Sequence, residues 1–365
     1  MNFALSAVMI FEPVYLFTLG YSLSQVMFFY LAVYVIYVFI APLAIRILSR
    51  LGVEHSIFYS QFFLIGYFLI LYGVQNTPSL IFIAPILLAL QKLFYWPAFH
   101  VDFITFSDKG QRGREISSVM AVSSIVAILG PLAGGLLVAQ FGFPALFIVI
   151  SVLLLFSAFP LLAIKEIHTT ERESYGNVVN HIKDSDHRRS LLSFLGFGEE
   201  LIVLVAWPIF IYILITDFTA MGALIAASTL FSTFILLLIG RRTDTHSGKK
   251  LARWGIVGYV ITWIVRAAAK SGGFVLILDS VSQLTKNMLF VPLTTSMYER
   301  ASKKNPVSYA IFFEQALSLG KIAAAIGAII LISIFSEPWY PIFILSALFS
   351  LLYLFKKYAR SETKS

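Results

Sequence analysis

The chain contains no cysteine among its 365 residues, and it has few charged residues. Without cysteine, disulfides, thiolate metal sites and cysteine nucleophiles are excluded. Charged residues make up 13% of the chain, whereas a soluble domain has roughly 25%. The composition therefore argues against a soluble globular protein.

The signatures of enzymes are also missing. The segment Gly196-Phe197-Gly198-Glu199-Glu200-Leu201 begins like a dinucleotide-binding turn but lacks the third glycine. No phosphate-binding loop occurs, and no pair of histidines has the spacing of zinc ligands. We therefore predict a protein that is not an enzyme and that has neither a metal site nor a cofactor.

What the chain does contain is a series of about twelve apolar runs. Hydrophobic residues make up 59% of the sequence, and 34 residues are phenylalanine. A helix of about 20 apolar residues spans a bilayer, and helices and closed barrels are the structures that satisfy their backbone groups there. The sequence therefore predicts an all-α integral membrane protein with twelve transmembrane helices. The predicted spans are 2–20, 25–46, 55–74, 79–105, 115–138, 142–164, 191–215, 218–240, 251–269, 273–297, 306–335 and 338–357.

The charges lie mostly in the gaps between these runs. The formal net charge is +8, and most of the 27 lysine and arginine residues lie in the gaps that follow even-numbered spans or in the tail. This alternation is typical of the positive-inside rule, not of a nucleic-acid-binding face. We therefore predict a multi-pass protein of the cell (plasma or inner) membrane with both termini in the cytoplasm and no nucleic-acid partner.

Residues 165–190 form the one long hydrophilic segment and divide the apolar runs into two sets of six. We predict an N-terminal six-helix bundle (1–164), a cytoplasmic linker (165–190), a C-terminal six-helix bundle (191–357) and a cytoplasmic tail (358–365). The two sets also repeat weakly: Glu12-Pro13 aligns with Trp207-Pro208, and Pro97 aligns with Pro292 at the same offset. Two pseudo-symmetric bundles indicate a transporter with a site between them.

Two motifs carry a family resemblance. The first is Gly130-Pro131-Leu132-Ala133-Gly134-Gly135 in the fifth span, where small residues allow close helix approach and proline allows bending. The second is Gly240-Arg241-Arg242-Thr243-Asp244 with Gly248, between the eighth and ninth spans. The equivalent loop of the first half has Arg46 and Arg50, but Ser49 replaces the acid. Topology alone is the alternative reading of these loop cations.

Through these motifs the chain resembles the major facilitator superfamily of secondary transporters over nearly its whole length. The resemblance implies a helix-packing role for Gly130, Pro131, Gly134 and Gly135. It also implies a cytoplasmic gate; the candidate gating residues are Arg46, Arg50, Gly240, Arg241, Asp244 and Gly248. In that family, spans one, four, seven and ten line a central cavity.

Ionisable residues inside spans are costly and mark functional sites or internal pairs. Asp279, Gln283 and Lys286 share one helical face, and Glu314 and Lys321 share another. The alternative to a cavity role is internal ion pairing, especially between Glu314 and Lys321. For the aromatic residues, the alternative is ordinary packing or contact with lipid. The predicted cavity residues are Glu12, Tyr15, Lys92, Trp96, Glu199, Glu200, Trp207, Asp279, Gln283, Lys286, Glu314 and Lys321.

The sequence predicts alternating-access transport of a small organic solute, coupled to protons through Glu12, Glu199, Glu200 or Asp279. Carboxylates in a low-dielectric cavity suit this role because burial favours their protonated form. Efflux is one direction, and uptake of a sugar or organic acid is the alternative. A non-transporting receptor or assembly factor on the same scaffold is the alternative from a different functional class. The expected partners are the solute, protons and the lipid bilayer, and we expect a monomer.

Overall fold

The structure, a computed structural model, describes residues 1–106, 112–163, 175–183, 185–240, 248–302 and 305–356. Within these ranges every regular element is an α-helix or a short 3-10 helix. The all-helical prediction is therefore confirmed for this part of the chain. For description, helices up to residue 163 are called the N-terminal helices and those from residue 185 onward the C-terminal helices.

The N-terminal helices begin with a broken first segment. They are α1 (Asn2–Val8), α2 (Phe11–Thr18), α3 (Leu23–Ile40), α4 (Ala44–Leu51), α5 (Val53–Val74), α6 (Ala84–Phe106) and α7 (Arg112–Ala158). Helix α3 begins with a capping box, because Ser22 and Gln25 bond reciprocally to each other's backbone N–H. Gly52, with φ of +85°, separates α4 from α5. A 3-10 turn at Ala41–Leu43 joins α3 to α4.

Helix α7 comprises two segments. Its 47 residues would extend about 70 Å as one straight helix, more than twice the thickness of a bilayer core. Gly142 interrupts it with φ of +78° and ψ of 173°, a conformation that glycine adopts readily. The break falls between the predicted spans 115–138 and 142–164.

The remaining helices start inside the predicted linker. They are α8 (Tyr175–Lys183), α9 (Ser185–Leu195), α10 (Gly198–Leu204), α11 (Ala206–Ile215), α12 (Phe218–Gly240), α13 (Gly248–Arg266), α14 (Gly272–Ser302), α15 (Pro306–Ile334) and α16 (Trp339–Leu351). The described part of 165–190 is therefore helical, which hydrophilic composition did not indicate. The predicted seventh span is divided among α9, α10 and α11.

Eight helical stretches of the described chain are long and apolar enough to cross a membrane. Two apolar helices are shorter, Asn2–Thr18 and Trp339–Phe355. The protein is a multi-pass membrane protein, and the count of twelve spans remains a prediction. The eight stretches are Leu23–Leu51, Val53–Val74, Pro78–Thr105, Val122–Leu162, Arg189–Ile215, Phe218–Ile235, Gly272–Ser302 and Pro306–Ile334.

Glycines bring α7 against α1 and α12 with no side chain between the backbones. A Cβ on Gly134 would overlap the carbonyl oxygen of Ala7 in α1. A Cβ on Gly135 would overlap the carbonyl oxygen of Phe218, and a Cβ on Gly222 of α12 would overlap the carbonyl oxygen of Pro131. The small residues of the motif around Pro131 thus lie at the contact between N-terminal and C-terminal helices.

Candidate solute cavity and its ionisable groups

A cavity of about 250 Å³ lies where α3 and α6 face α10, α14 and α15. Its wall is mainly aromatic, and it comes from both sets of helices. Pro97 in α6 and Pro292 in α14 lie among the wall residues of their helices, and each removes one backbone hydrogen bond where a helix can bend. The aromatic wall includes Trp96, Phe99, Phe103, Phe290, Tyr298 and Phe313. The ionisable residues of the wall are Lys92, His100, Glu200, Glu314 and Lys321.

Helix α3 presents a row of three buried tyrosines to this region. Tyr30, Tyr34 and Tyr37 stand at positions i, i+4 and i+7, and therefore share one face. Each tyrosine contacts a different ionisable side chain. The row therefore contacts ionisable side chains of both the N-terminal and the C-terminal helices.

Glu12 of α2 receives hydrogen bonds from two tyrosine hydroxyl groups. Tyr30 donates to Oε1 at 2.6 Å, and Tyr67 of α5 donates to the same oxygen at 2.5 Å. No described cationic side chain forms an ion pair with this carboxyl group. Among the four predicted coupling acids, Glu12 is the one that lacks a paired cation within the described chain.

Two lysines approach one aromatic ring from the two sets of helices. The ammonium of Lys92 on α6 lies 5.2 Å from the centroid of Tyr34, and that of Lys321 on α15 lies 5.2 Å from the same centroid. Lys321 also bonds to Glu200, with 3.1 Å between Nζ and Oε2. Lys92 makes no ion pair with any described residue. The cavity wall therefore contains one ammonium whose closest partner is a ring face.

Glu199, Lys286, Glu200 and Lys321 form a chain of alternating charge. Lys286 bonds to Oε1 of Glu199 and lies 3.4 Å from Oε1 of Glu200. Glu199 is fully buried, and it also accepts hydrogen bonds from Tyr259 at 2.5 Å and Tyr353 at 3.0 Å. Two acids and two bases cancel, so this chain contributes no net charge to the cavity.

Backbone contact between α10 and α15 positions this chain. A Cβ on Gly198 would lie 2.5 Å from the carbonyl oxygen of Gly320, and Gly320 in turn meets the carbonyl of Leu195. The two glycines let the helices touch, which places Glu200 within reach of Lys321. Gly198, one of the two glycines that resemble a nucleotide-binding turn, therefore serves helix packing.

A polar cluster joins the two sets of helices at the cavity. Nε2 of His100 on α6 lies 2.9 Å from Oε1 of Glu314 on α15, and Tyr37 donates to Oε2 at 3.0 Å. The other ring nitrogen of His100 lies 2.9 Å from the hydroxyl of Tyr298 on α14. Helix α15 is fixed at its start by Asn305, which caps the backbone N–H groups of Val307 and Ser308. Glu314 is thus held between α3 and α6.

Asp279 belongs to a second buried cluster outside the cavity wall. It accepts hydrogen bonds from Trp207 at 3.1 Å and from Gln283 at 2.7 Å, and it lies 3.5 Å from Arg266. The guanidinium carbon of Arg266 lies 4.3 Å from the ring centroid of Trp207 and 4.0 Å from that of Trp263. Two rings and a carboxylate compensate a cation that would otherwise be buried alone.

The predicted cavity residues therefore divide into separate environments. Lys92, Trp96, Glu200, Glu314 and Lys321 lie in the cavity wall. Asp279, Gln283 and Lys286, predicted to share one cavity face, bond to partners on the C-terminal helices and lie outside this wall, so their role in transport stays a prediction. The alternative reading of Glu314 and Lys321 was an ion pair between them, but each bonds to a partner on another helix. Outside the wall lie Glu12, Tyr15, Glu199, Trp207, Asp279, Gln283 and Lys286.

Tyr15 and the loop residues complete the comparison. The hydroxyl of Tyr15 donates to the carbonyl of Leu71 at 2.7 Å, so this tyrosine fixes α2 against α5. Arg46 and Arg50 are exposed on α4. Arg241 and Asp244 lie outside the described residues, and of Gly240 and Gly248 the structure gives only their place in α12 and α13. The gate therefore stays a prediction.

Sequence reasoning missed Arg266 and the tyrosine row. Arg266 lies near the end of an apolar run, a position that predicts contact with water, yet it is 1% exposed. The tyrosines had a usable signal, because their spacing of four and three residues places them on one helical face. His100 stands four and eight residues after Trp96 and Lys92, a spacing that predicts one helical face, but the sequence could not identify its partner Glu314.

Solved structures share this fold. The chain resembles two structures of the nucleoside transporter NupG, with TM-scores of 0.68 and 0.62 at 13% and 14% identity, one of them a single-residue variant. It also resembles a variant of the E. coli fucose:proton symporter FucP, with a TM-score of 0.63 at 14% identity. Each comparison covers 97% of this chain and 95% of the other chain. No curated protein matches the chain.

The sequence profile of the Major Facilitator Superfamily matches residues 1–183, half of the chain. The chain therefore belongs to the Major Facilitator Superfamily, and the resemblance stated from its motifs is confirmed. The family assignment also confirms that the protein is a transporter and not an enzyme.

Proposed function

We propose that the protein moves a small organic solute across the membrane by alternating access, with the cavity between the two sets of helices as the solute site. The observation that carries this proposal is the composition of the cavity wall. Aromatic side chains and unlike charges from α3, α6, α10, α14 and α15 face one enclosed space. A site shared by two sets of helices can be opened on either side when the sets rock against each other.

Transport is coupled to protons, and Glu12 is the coupling group. The other three candidate acids are compensated: Glu199 and Glu200 by lysines, and Asp279 by Arg266. Glu12 has two tyrosine hydroxyl donors and no paired cation in the described chain. Protonation of an acid that is paired with a lysine or arginine would leave that buried cation without its partner. Protonation of Glu12 breaks no ion pair in the described chain. One of the structural neighbours is a fucose:proton symporter, which is in keeping with this coupling.

Both termini lie in the cytoplasm in this proposal, and the twelve predicted spans form two six-helix bundles. The alternating distribution of lysine and arginine supports this orientation. The helical breaks near residues 142 and 216 fall on the side opposite the termini. A receptor on the same scaffold would bind a solute without moving it, so flux separates the two functions.

The test starts with a solute-binding screen by thermal shift at several pH values, followed by reconstitution of the purified protein in proteoliposomes. An imposed gradient of one pH unit, about 1.4 kcal/mol, supports about tenfold accumulation of a solute coupled to one proton without net charge movement. Gradients of both signs distinguish uptake from efflux. Binding without flux would favour the receptor.

The decisive variant is Glu12→Gln, with Glu337→Gln as the matched control because Glu337 is exposed and outside the apolar helices. Glu12→Gln should lose gradient-driven accumulation but retain solute exchange at equal concentrations, since exchange needs only the site and the rocking motion. Glu337→Gln should behave like the wild type. Full accumulation by Glu12→Gln would show that another group or ion performs the coupling.

A further inference from the structure

We propose that the transported solute is a small organic anion, a carboxylate on an apolar or aromatic body, whose charged group binds the ammonium of Lys92 beside the ring of Tyr34. This inference rests on the proposed transport function and names the substrate class of that site. It follows from the charges, the lining and the size of the cavity.

The charges of the cavity wall leave one cation available. Glu200 is paired with Lys321 and Lys286, and Glu314 is bonded to His100 and Tyr37. Lys92 contacts only a ring face among the described residues. A half-buried ammonium in an aromatic cavity has lost part of its hydration, and a carboxylate of the solute would replace it.

Glu12 is the competing partner. Glu12 bonds to Tyr30 and Lys92 lies over the ring of Tyr34, one helical turn further along α3, and the two side chains form no ion pair with each other. When Glu12 takes up its proton, the ammonium loses this distant counter-charge and has the bound anion as its partner. The proton and the anion therefore favour each other's binding, which is the energetic requirement of symport.

The lining indicates the rest of the solute. Trp96, Phe99, Phe290 and Phe313 offer ring faces and edges to a bound solute. Thr294 donates its hydroxyl to the backbone carbonyl of Phe290. Several polar groups of the wall are already bonded to one another, so the hydroxyl groups of a sugar or other polyol would compete with these bonds, whereas a flat apolar body would contact the rings directly.

The size agrees with this reading. A cavity of about 250 Å³ is slightly smaller than the usual range of small-molecule sites, about 300–1,000 Å³. It therefore suits a compact solute with a single ring. Phenylacetate is a suitable probe, and phenylacetamide and phenethylamine are its neutral and cationic counterparts.

The experiment measures binding to the purified, full-length protein and uptake by proteoliposomes. The panel pairs benzoate, phenylacetate and phenylpropionate with their amides and with the corresponding amines. The variants are Lys92→Gln, Lys92→Arg and the control Lys270→Gln, since Lys270 is exposed and outside the cavity wall. Thermal unfolding checks that each variant is folded.

The wild type and Lys270→Gln should bind at least one carboxylate about tenfold or more tightly than its amide, as expected for one charge-assisted hydrogen bond. Lys92→Gln should lose this preference, whereas Lys92→Arg should keep most of it. If Lys92→Gln does not fold, the preference of the wild type for carboxylates over their amides decides whether the inference holds.

Two results would overturn the inference. The first is binding of an amide or an amine at least as tight as that of every carboxylate in the wild type. The second is a preference for carboxylate that survives in a folded Lys92→Gln. In both cases, flux of the solutes that bind would leave the proposed transport function intact. If no solute of this panel or of the broad screen bound or moved, both the transport function and the anionic substrate class would be contradicted.

Discussion

Removal of the Lys286 ammonium should destabilise the protein strongly, because it strands a fully buried carboxylate. Glu199 is 0% exposed, and Lys286 is its one ion-pair partner in the described chain. The hydroxyl groups of Tyr259 and Tyr353 remain as donors, but they carry no charge. Breaking a buried ion pair by removing one member costs about 3–5 kcal/mol. We expect Lys286→Met to lower the free energy of unfolding by that amount.

Two further variants separate a stranded charge from lost packing. Glu199→Gln combined with Lys286→Met removes both charges and should recover most of the loss, since neutral groups avoid the desolvation penalty. Lys321→Met should cost only about 1 kcal/mol. Its partner Glu200 has a side chain that is 31% exposed, and Lys286 remains 3.4 Å away. The order of stability should therefore be wild type, Lys321→Met, the double variant and Lys286→Met.

The measurement is equilibrium unfolding in mixed micelles with increasing sodium dodecyl sulfate, followed by the helical circular dichroism signal. A Lys286→Met variant within about 1 kcal/mol of the wild type would refute the argument. A double variant no more stable than Lys286→Met would refute it as well, because the loss would then come from packing around the lysine stem.

Two other expectations concern packing and orientation. Gly134→Ala should lower the free energy of unfolding by about 1–3 kcal/mol, because the new Cβ would overlap the carbonyl of Ala7. A Cβ on Gly273 would meet open space, so Gly273→Ala should not lower it. The same unfolding assay compares the two variants. Single cysteines at Ser174 and Ser361, introduced into this cysteine-free chain, should resist membrane-impermeant thiol reagents in intact cells and react after permeabilisation. Labelling of either before permeabilisation would contradict cytoplasmic termini and linker.

The apolar runs predicted the helices well because span length is set by the bilayer and by helical rise. They could not show helix inside the 165–190 segment, because α8 and α9 are polar. The break near Val205 between α10 and α11 was also missed. Pro208 lies in the first turn of α11 and has no N–H to bond to the carbonyl of Leu204, a local effect that hydropathy does not record.

The site was predicted only in part, for a related reason. Helical periodicity tells which side chains share a face, but it does not tell what lies opposite that face. Glu314 and Lys321 share a face, as predicted, yet His100 and Glu200 from other helices bind them. Arg266 shows the reverse error, since its position near the end of an apolar run suggested an interface with water. Which side chain pairs with which depends on how the helices pack in three dimensions, and a single sequence contains no pattern that reveals this packing.

The glycine contact between α7 and α12 has a mechanical consequence. Gly135 meets the backbone at Phe218, and Gly222 meets the backbone at Pro131, with no side chain between them. When two bodies turn against each other, atoms move least where the bodies are in closest contact. If the two sets of helices rock as proposed, we therefore expect the axis of rotation to pass near this glycine contact.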